Sequence, residues 1–282
     1  MRKIVLFLIC LLLLSGITAG CTFTGAETPT DAPVESTAPT DALKEPTAPT
    51  ANALEGFVTE ESLKSGVPCQ VELRRSSEDL YHDLELIIIS STGTIREVVT
   101  AVEREEPCVD ETLYLADLDG DSVSEIILHE DCGGNGGYGS YRSRVFQVEN
   151  NALIEIFEVA PYEDMDTGFY WEITEPFGFL IRNRYTDLSL KLEADQYRKD
   201  YYFDSEGTSK VDFSDCPLNV DTFYEFYPKD VDGDGVFELC VCQYVWDIAH
   251  VDGVGEAKCV IKYDSSAKSF RVVQADFCPL GE

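Results

Sequence analysis

LYLADLDGDSVSEIILHE, residues 113–130, and FYPKDVDGDGVFELCVCQYV, residues 226–245, share one layout. A run alternating in hydrophobicity enters a nine-residue loop with carboxylates at positions 1, 3, 5 and 9, and a second apolar run leaves it. Alternation at period two marks half-buried strands. Working outward, the first copy continues into a glycine-rich loop, then SRVFQVE (143–149), a tight turn and LIEIFEV (153–159). The second continues through a long loop into KCVIKYD (258–264), a turn and SFRVVQ (269–274). Each copy therefore reads strand, acidic loop, strand, long loop, strand, turn, strand, an internal repeat at 111–160 and 221–277.

The same patterning without an acidic loop fills 57–110 (LELIII, TIREVVTAV) and 161–215 (FYWEIT, FGFLIRNR, LSLKLEA, KDYYFD). Helical periodicity is confined to short stretches at Glu60–Ser65 and Ser77–Leu84. Four units of about 55 residues in series predict an all-β domain, a β-propeller-like arrangement of about four small antiparallel sheets, with a β-sandwich as the alternative.

The domain is expected over 57–282, because the residues before it are of two other kinds. Met1-Arg2-Lys3 followed by an apolar run from Ile4 to Leu14 has the charged and apolar regions of a secretory signal, and the run is too short to span a bilayer. Ser15-Gly16-Ile17-Thr18-Ala19-Gly20-Cys21 then resembles the lipobox of bacterial lipoproteins. That resemblance implies a signal peptide over 1–20, removed ahead of a lipid-modified Cys21, and a Gram-positive surface lipoprotein held on the outer face of the cytoplasmic membrane. Residues 21–56 repeat Thr, Pro, Ala and acidic residues and offer nothing for a core, so they are expected to act as a tether reaching into the cell wall.

The formal net charge of −32 repels nucleic acid and anionic lipid and attracts divalent cations. Eight of the ten cysteines remain after Cys10 and Cys21 are set aside, an even number that suits disulfides in an exported protein, and no C-x-x-C pair points to zinc or thioredoxin chemistry. A hairpin between Leu239–Tyr244 and Ala257–Tyr263, with its loop centred between His250 and Val251, places Cys242 opposite Cys259 and makes them the favoured disulfide.

The acidic loops carry the clearest chemistry. Asp117, Asp119, Asp121 and Glu125 in the first, and Asp230, Asp232, Asp234 and Glu238 in the second, can converge on one point, with the carbonyls of Val123 and Val236 near position 7 completing a shell. Calcium takes six to eight hard oxygen ligands in flexible geometry, so two calcium sites are expected. Glycine at positions 4 and 6 of the second loop (Gly233, Gly235) makes it the tighter of the two, since Ser122 holds position 6 in the first. An EF-hand is excluded: position 12 is Leu128 or Val241, where that loop needs a bidentate glutamate, and the flanks are strands.

The D-x-D-x-D-G-x-x-D/E pattern between two strands resembles the calcium loop of FG-GAP repeats in integrin-type propellers and of the related VCBS repeats. The resemblance covers 111–160 and 221–277 and implies a calcium-stabilised, adhesive scaffold that presents loops. Two long loops are the candidates for recognition. One follows Gly133-Gly134 and displays Tyr138 and Tyr141; its G-x-G-x-x-G spacing lies between strands beside Glu130 and Asp131, the wrong setting for a dinucleotide. The other displays Trp246, Asp247 and His250. Aromatics beside carboxylates suit sugars or basic peptides. His82, His129 and His250 fall in no triad or metal spacing, so the expected role is non-enzymatic, a binding or adhesion module for an extracellular glycan or protein. The alternative is an exported wall- or polysaccharide-active hydrolase using paired carboxylates.

Overall fold

The pairing of alternating runs into hairpins decides the architecture. The computed structural model describes residues 59–63, 67–76, 83–90, 93–100, 109–134, 138–161, 165–211 and 216–280. The predicted signal, Cys21 and the tether lie outside these residues, as do His82 and Cys108. Among the described residues no helix is long and apolar enough to cross a membrane.

Four antiparallel sheets of four strands follow one another along the chain. The first is a meander of β1 (Thr59–Leu63), β2 (Val67–Arg75), β3 (Leu84–Ser90) and β4 (Gly93–Thr100). The second is a meander of β5 (Asp110–Ala116), β6 (Glu125–Asp131), β7 (Tyr141–Glu149) and β8 (Ala152–Val159). The third contains β9 (Phe169–Thr174), β10 (Gly178–Asn183) and β11 (Ser189–Glu193); after the helix α1 (Gln196–Tyr202), the short β12 (Cys216–Pro217) adds beside β9, giving the order β11-β10-β9-β12. The fourth is a meander of β13 (Asn219–Lys229), β14 (Glu238–Trp246), β15 (Gly253–Asp264) and β16 (Ser269–Pro279). Pro228 sits on β13, an edge strand, the place in a sheet where proline is tolerated. The β7–β8 turn is Asn150-Asn151, both at positive φ, the conformation a two-residue hairpin of matching twist requires.

The second sheet lies at the centre of the packing because β6 is apolar on both faces. Ile126 and Leu128 meet Val71, Leu84, Leu86, Ile88 and Val99 of the first sheet. Ile127, between them, points the other way into a larger core shared with Phe169, Trp171 and Phe179 of the third sheet and Phe223, Phe226 and Leu239 of the fourth. All three β6 side chains are fully buried, each a contribution of about 1.5–3 kcal/mol. The four-sheet, all-β expectation holds, and the arrangement of the described sheets is sandwich-like, each sheet keeping two edges.

Three expectations are corrected. KDYYFD, read as a strand for its aromatics, belongs mostly to α1: Asp195 accepts the Arg198 N–H at 2.8 Å as N-cap, and the helix then buries Tyr202. Residues 60–63, the start of the expected helical stretch at Glu60–Ser65, lie in β1. The β14–β15 hairpin forms, but Cys259 pairs with Val241 and Cys242 with Lys258. The turn closes where the Asp247 N–H meets the Asp252 carbonyl at 3.3 Å, earlier than a loop centred after His250, and the bulge at Val254 does not restore the register. A one-residue slip turns a side chain to the other face. Cys242 and Cys259 therefore stay free thiols, as do Cys240 and Cys278. Cys132, by contrast, is disulfide-bonded.

Candidate metal centre and loop cluster

Each acidic loop folds around its first aspartate. Asp117 Oδ1 accepts from the Gly120 N–H at 2.7 Å and Oδ2 from the Ser122 N–H at 2.8 Å. Asp230 repeats this with Gly233 at 2.7 Å and Gly235 at 3.2 Å. Position 4 has φ of 78° in Gly120 and 77° in Gly233; position 6 has φ of 88° in Gly235 and 67° in Ser122, a left-handed conformation held by a residue with a side chain. The glutamate of position 9 begins the outgoing strand and is buried, Glu125 at 2% and Glu238 at 3% exposure. It closes the loop by accepting the backbone N–H of position 2, Leu118 at 2.7 Å and Val231 at 3.1 Å.

The result is two carboxylate triads. Oxygens of Asp117, Asp119 and Glu125, and of Asp230, Asp232 and Glu238, each lie within 4.8 Å of one another. Asp121 and Asp234 stand outside the triads, their carboxylates taken by the N–H groups of Val123 at 3.0 Å and Val236 at 2.8 Å. Three hard oxygen donors gathered within reach of one point, one of them buried, fit calcium. Burial, with Asp119 and Asp121 adding their charge, pushes Glu125 up to about 7. In the second loop the hydrogen bond to Glu238 leads in holding the Lys262 ammonium well above the usual lysine range.

The two loops touch. The Phe237 N–H donates to the Asp117 carbonyl at 2.7 Å, Ser265 Oγ donates to the Asp119 carbonyl at 3.1 Å, and a Cβ at Gly120 would stand 3.3 Å from Val236 Cγ2. Nothing in the spacing of either repeat announces this contact, because it depends on how the second and fourth sheets stack.

The recognition loops also meet. Tyr138 stacks on Tyr244 with centroids 4.1 Å apart and tilts against Tyr224 at 5.2 Å. His250 lies against Tyr244 at 5.2 Å and Trp246 at 5.8 Å. Asp221 on β13 anchors both neighbours, accepting Trp246 Nε1–H at 3.1 Å and facing His250 Nε2 at 2.6 Å. Asp221, Tyr224 and Tyr244 went unnoticed in the sequence; alternation along β14 would have put Tyr244 beside Trp246, but bulges in β13 hide which face Asp221 takes. Two candidates lie elsewhere. Tyr141 stacks on His129 at 4.9 Å and its N–H donates to Thr222 Oγ1 at 3.0 Å. Asp247 is 7% exposed and bound by Tyr202 and by Arg198 Nε at 3.2 Å, so it fastens α1 to the loop and is turned away from solvent. Burial pushes the Cys242 and Cys259 thiols up to about 12, which keeps them protonated and unreactive.

Residues 180–278 match the family described as the YybI C-terminal domain. The matched stretch contains the second acidic loop and all but the last residue of the fourth sheet, and not the first loop. An uncharacterized Bacillus subtilis (strain 168) protein, YybI, is 24% identical over 163 residues, 56% of this chain. The match spans 60% of that protein's length. No solved structure matches.

Proposed function

We propose that this chain is a lipid-anchored, calcium-stabilised β domain of the cell surface that binds an extracellular glycan or protein. The observation that carries the binding role is the convergence of two long loops into one cluster, Tyr138, Tyr244, Trp246 and His250 around Asp221. Aromatic faces beside a fixed carboxylate are the chemistry by which sugar rings and basic side chains are held. The acidic loops support the scaffold reading, since each gathers three carboxylates whose mutual repulsion a cation relieves. Three meandering sheets out of four, two of them carrying acidic loops between strands, support kinship with FG-GAP and VCBS repeats and a propeller-like arrangement. The Cys132 disulfide supports an oxidising location outside the cytoplasm, and the lipobox-like segment ending at Cys21 supplies the anchor.

The test is a glycan and peptide array probed with the protein in calcium and in chelator. A ligand bound by the parent and lost in both Tyr138→Ala and Trp246→Ala, with melting unchanged, supports the reading. Retention of all array binding in the double variant sinks it.

A further inference from the structure

The two acidic loops differ in what lies over them. Ile126 pairs with Phe146 and Leu239 with Ile261, so the next residues outward, Gln147 on β7 and Lys262 on β15, stand beside Glu125 and Glu238 at equivalent places in the two repeats. Gln147 Nε2 donates to Asp119 Oδ2 at 3.0 Å and to Glu125 Oε1 at 3.2 Å. Lys262 Nζ donates to Glu238 Oε1 at 2.7 Å and lies 3.4 Å from Asp232 Oδ2 and 3.7 Å from Asp234 Oδ2. One carboxylate frame is closed by a neutral amide and its twin by an ammonium.

We infer that Lys262 is the resident cation of the second loop, so that calcium is held by the first loop alone. The inference rests on the calcium reading above and reverses the order expected from the glycines. An ammonium bonded to Glu238 and close to two aspartates supplies the charge that the frame needs, and its tether to β15 keeps it at high local concentration. A divalent ion in the same space meets a like charge at contact distance. Gln147 carries no such charge, and rotation of its amide turns the oxygen toward a cation, making it one more hard ligand of the kind calcium accepts. Lysine has no acceptor to offer.

The experiment is calorimetric titration of the full chain with calcium, in the parent and in the Lys262→Gln and Gln147→Lys variants, each checked for melting in chelator. One equivalent in the parent, two in Lys262→Gln and none in Gln147→Lys supports the inference. Lys262→Gln should also melt lower than the parent in chelator and recover in calcium, a rescue that a merely unfolded variant does not show. Two equivalents in the parent, unchanged by Lys262→Gln, overturn the inference and leave the calcium reading standing. No uptake in the parent but one equivalent in Lys262→Gln overturns calcium at the first loop and supports the role of Lys262. No uptake in the parent or in Lys262→Gln, both folded, overturns the two together.

Discussion

Ser122 and Gly235 occupy the same place in two copies of one loop, and only the second is built for the conformation it adopts. At φ 67° the Ser122 Cβ crowds its own backbone, at a cost of about 1–2 kcal/mol for an L-residue. Ser122→Gly removes that cost and adds some unfolded-state entropy, so the variant should be more stable by about 0.5–1 kcal/mol in urea unfolding. Gly120→Ala should move the other way, since it adds both the left-handed penalty and a 3.3 Å approach to Val236. The loop chemistry was readable one residue at a time, because carboxylate spacing and glycine positions are local properties. The partners Gln147 and Lys262 were not, because they arrive from another strand through pairing register.

Among the described residues, β6 and β7 hold four buried charged side chains, Glu125, Glu130, Arg142 and Arg144. Glu130, fully buried, accepts from Thr100 Oγ1 at 2.6 Å and from Arg144 Nη2 at 2.5 Å, while Arg144 also donates to the Val99 carbonyl. This network fastens β4 of the first sheet to the second. Glu130→Ala leaves Arg144 buried without its carboxylate and should cost about 3–5 kcal/mol, read from the urea midpoint. Beside it, burial pushes His129 down to about 4. A base held below its unfolded value near 6.5 contributes stability that is fully present above pH 6.5 and is lost as pH falls toward 4, up to about 3 kcal/mol. The parent should therefore lose stability across that window relative to His129→Phe, and parallel pH curves would refute the assignment. Element type was legible wherever alternation was strict, as in β5, β8 and β15. It failed at α1, where the Asp195 cap and one buried face outweigh the strand preference of Tyr201, Tyr202 and Phe203. It failed in the register of Cys242 and Cys259, where a tighter turn and a bulge decide what symmetric spacing cannot.

For the whole molecule, calcium and chelator should move the melting temperature apart, because a cation that binds only the folded state adds about 2.7 kcal/mol at one hundred times its Kd. Coincident melting curves would remove the cation from the scaffold. The sheet count was legible because the repeat length sets it. The stacking was not, since Ile126 and Ile127 look alike in the sequence and only the fold sends one to the first sheet and the other to the shared core.

The bond from Phe237 to Asp117 has a kinetic side. It joins the second sheet to the fourth across a long stretch of chain, so the paired loops exist only after non-local assembly is complete. Interactions that form after the folding barrier slow departure from the native state and leave its approach alone. In stopped-flow measurements calcium should therefore depress the unfolding limb of the chevron and leave the refolding limb where it is. The cation would act as a latch set last, delaying the first step of unfolding.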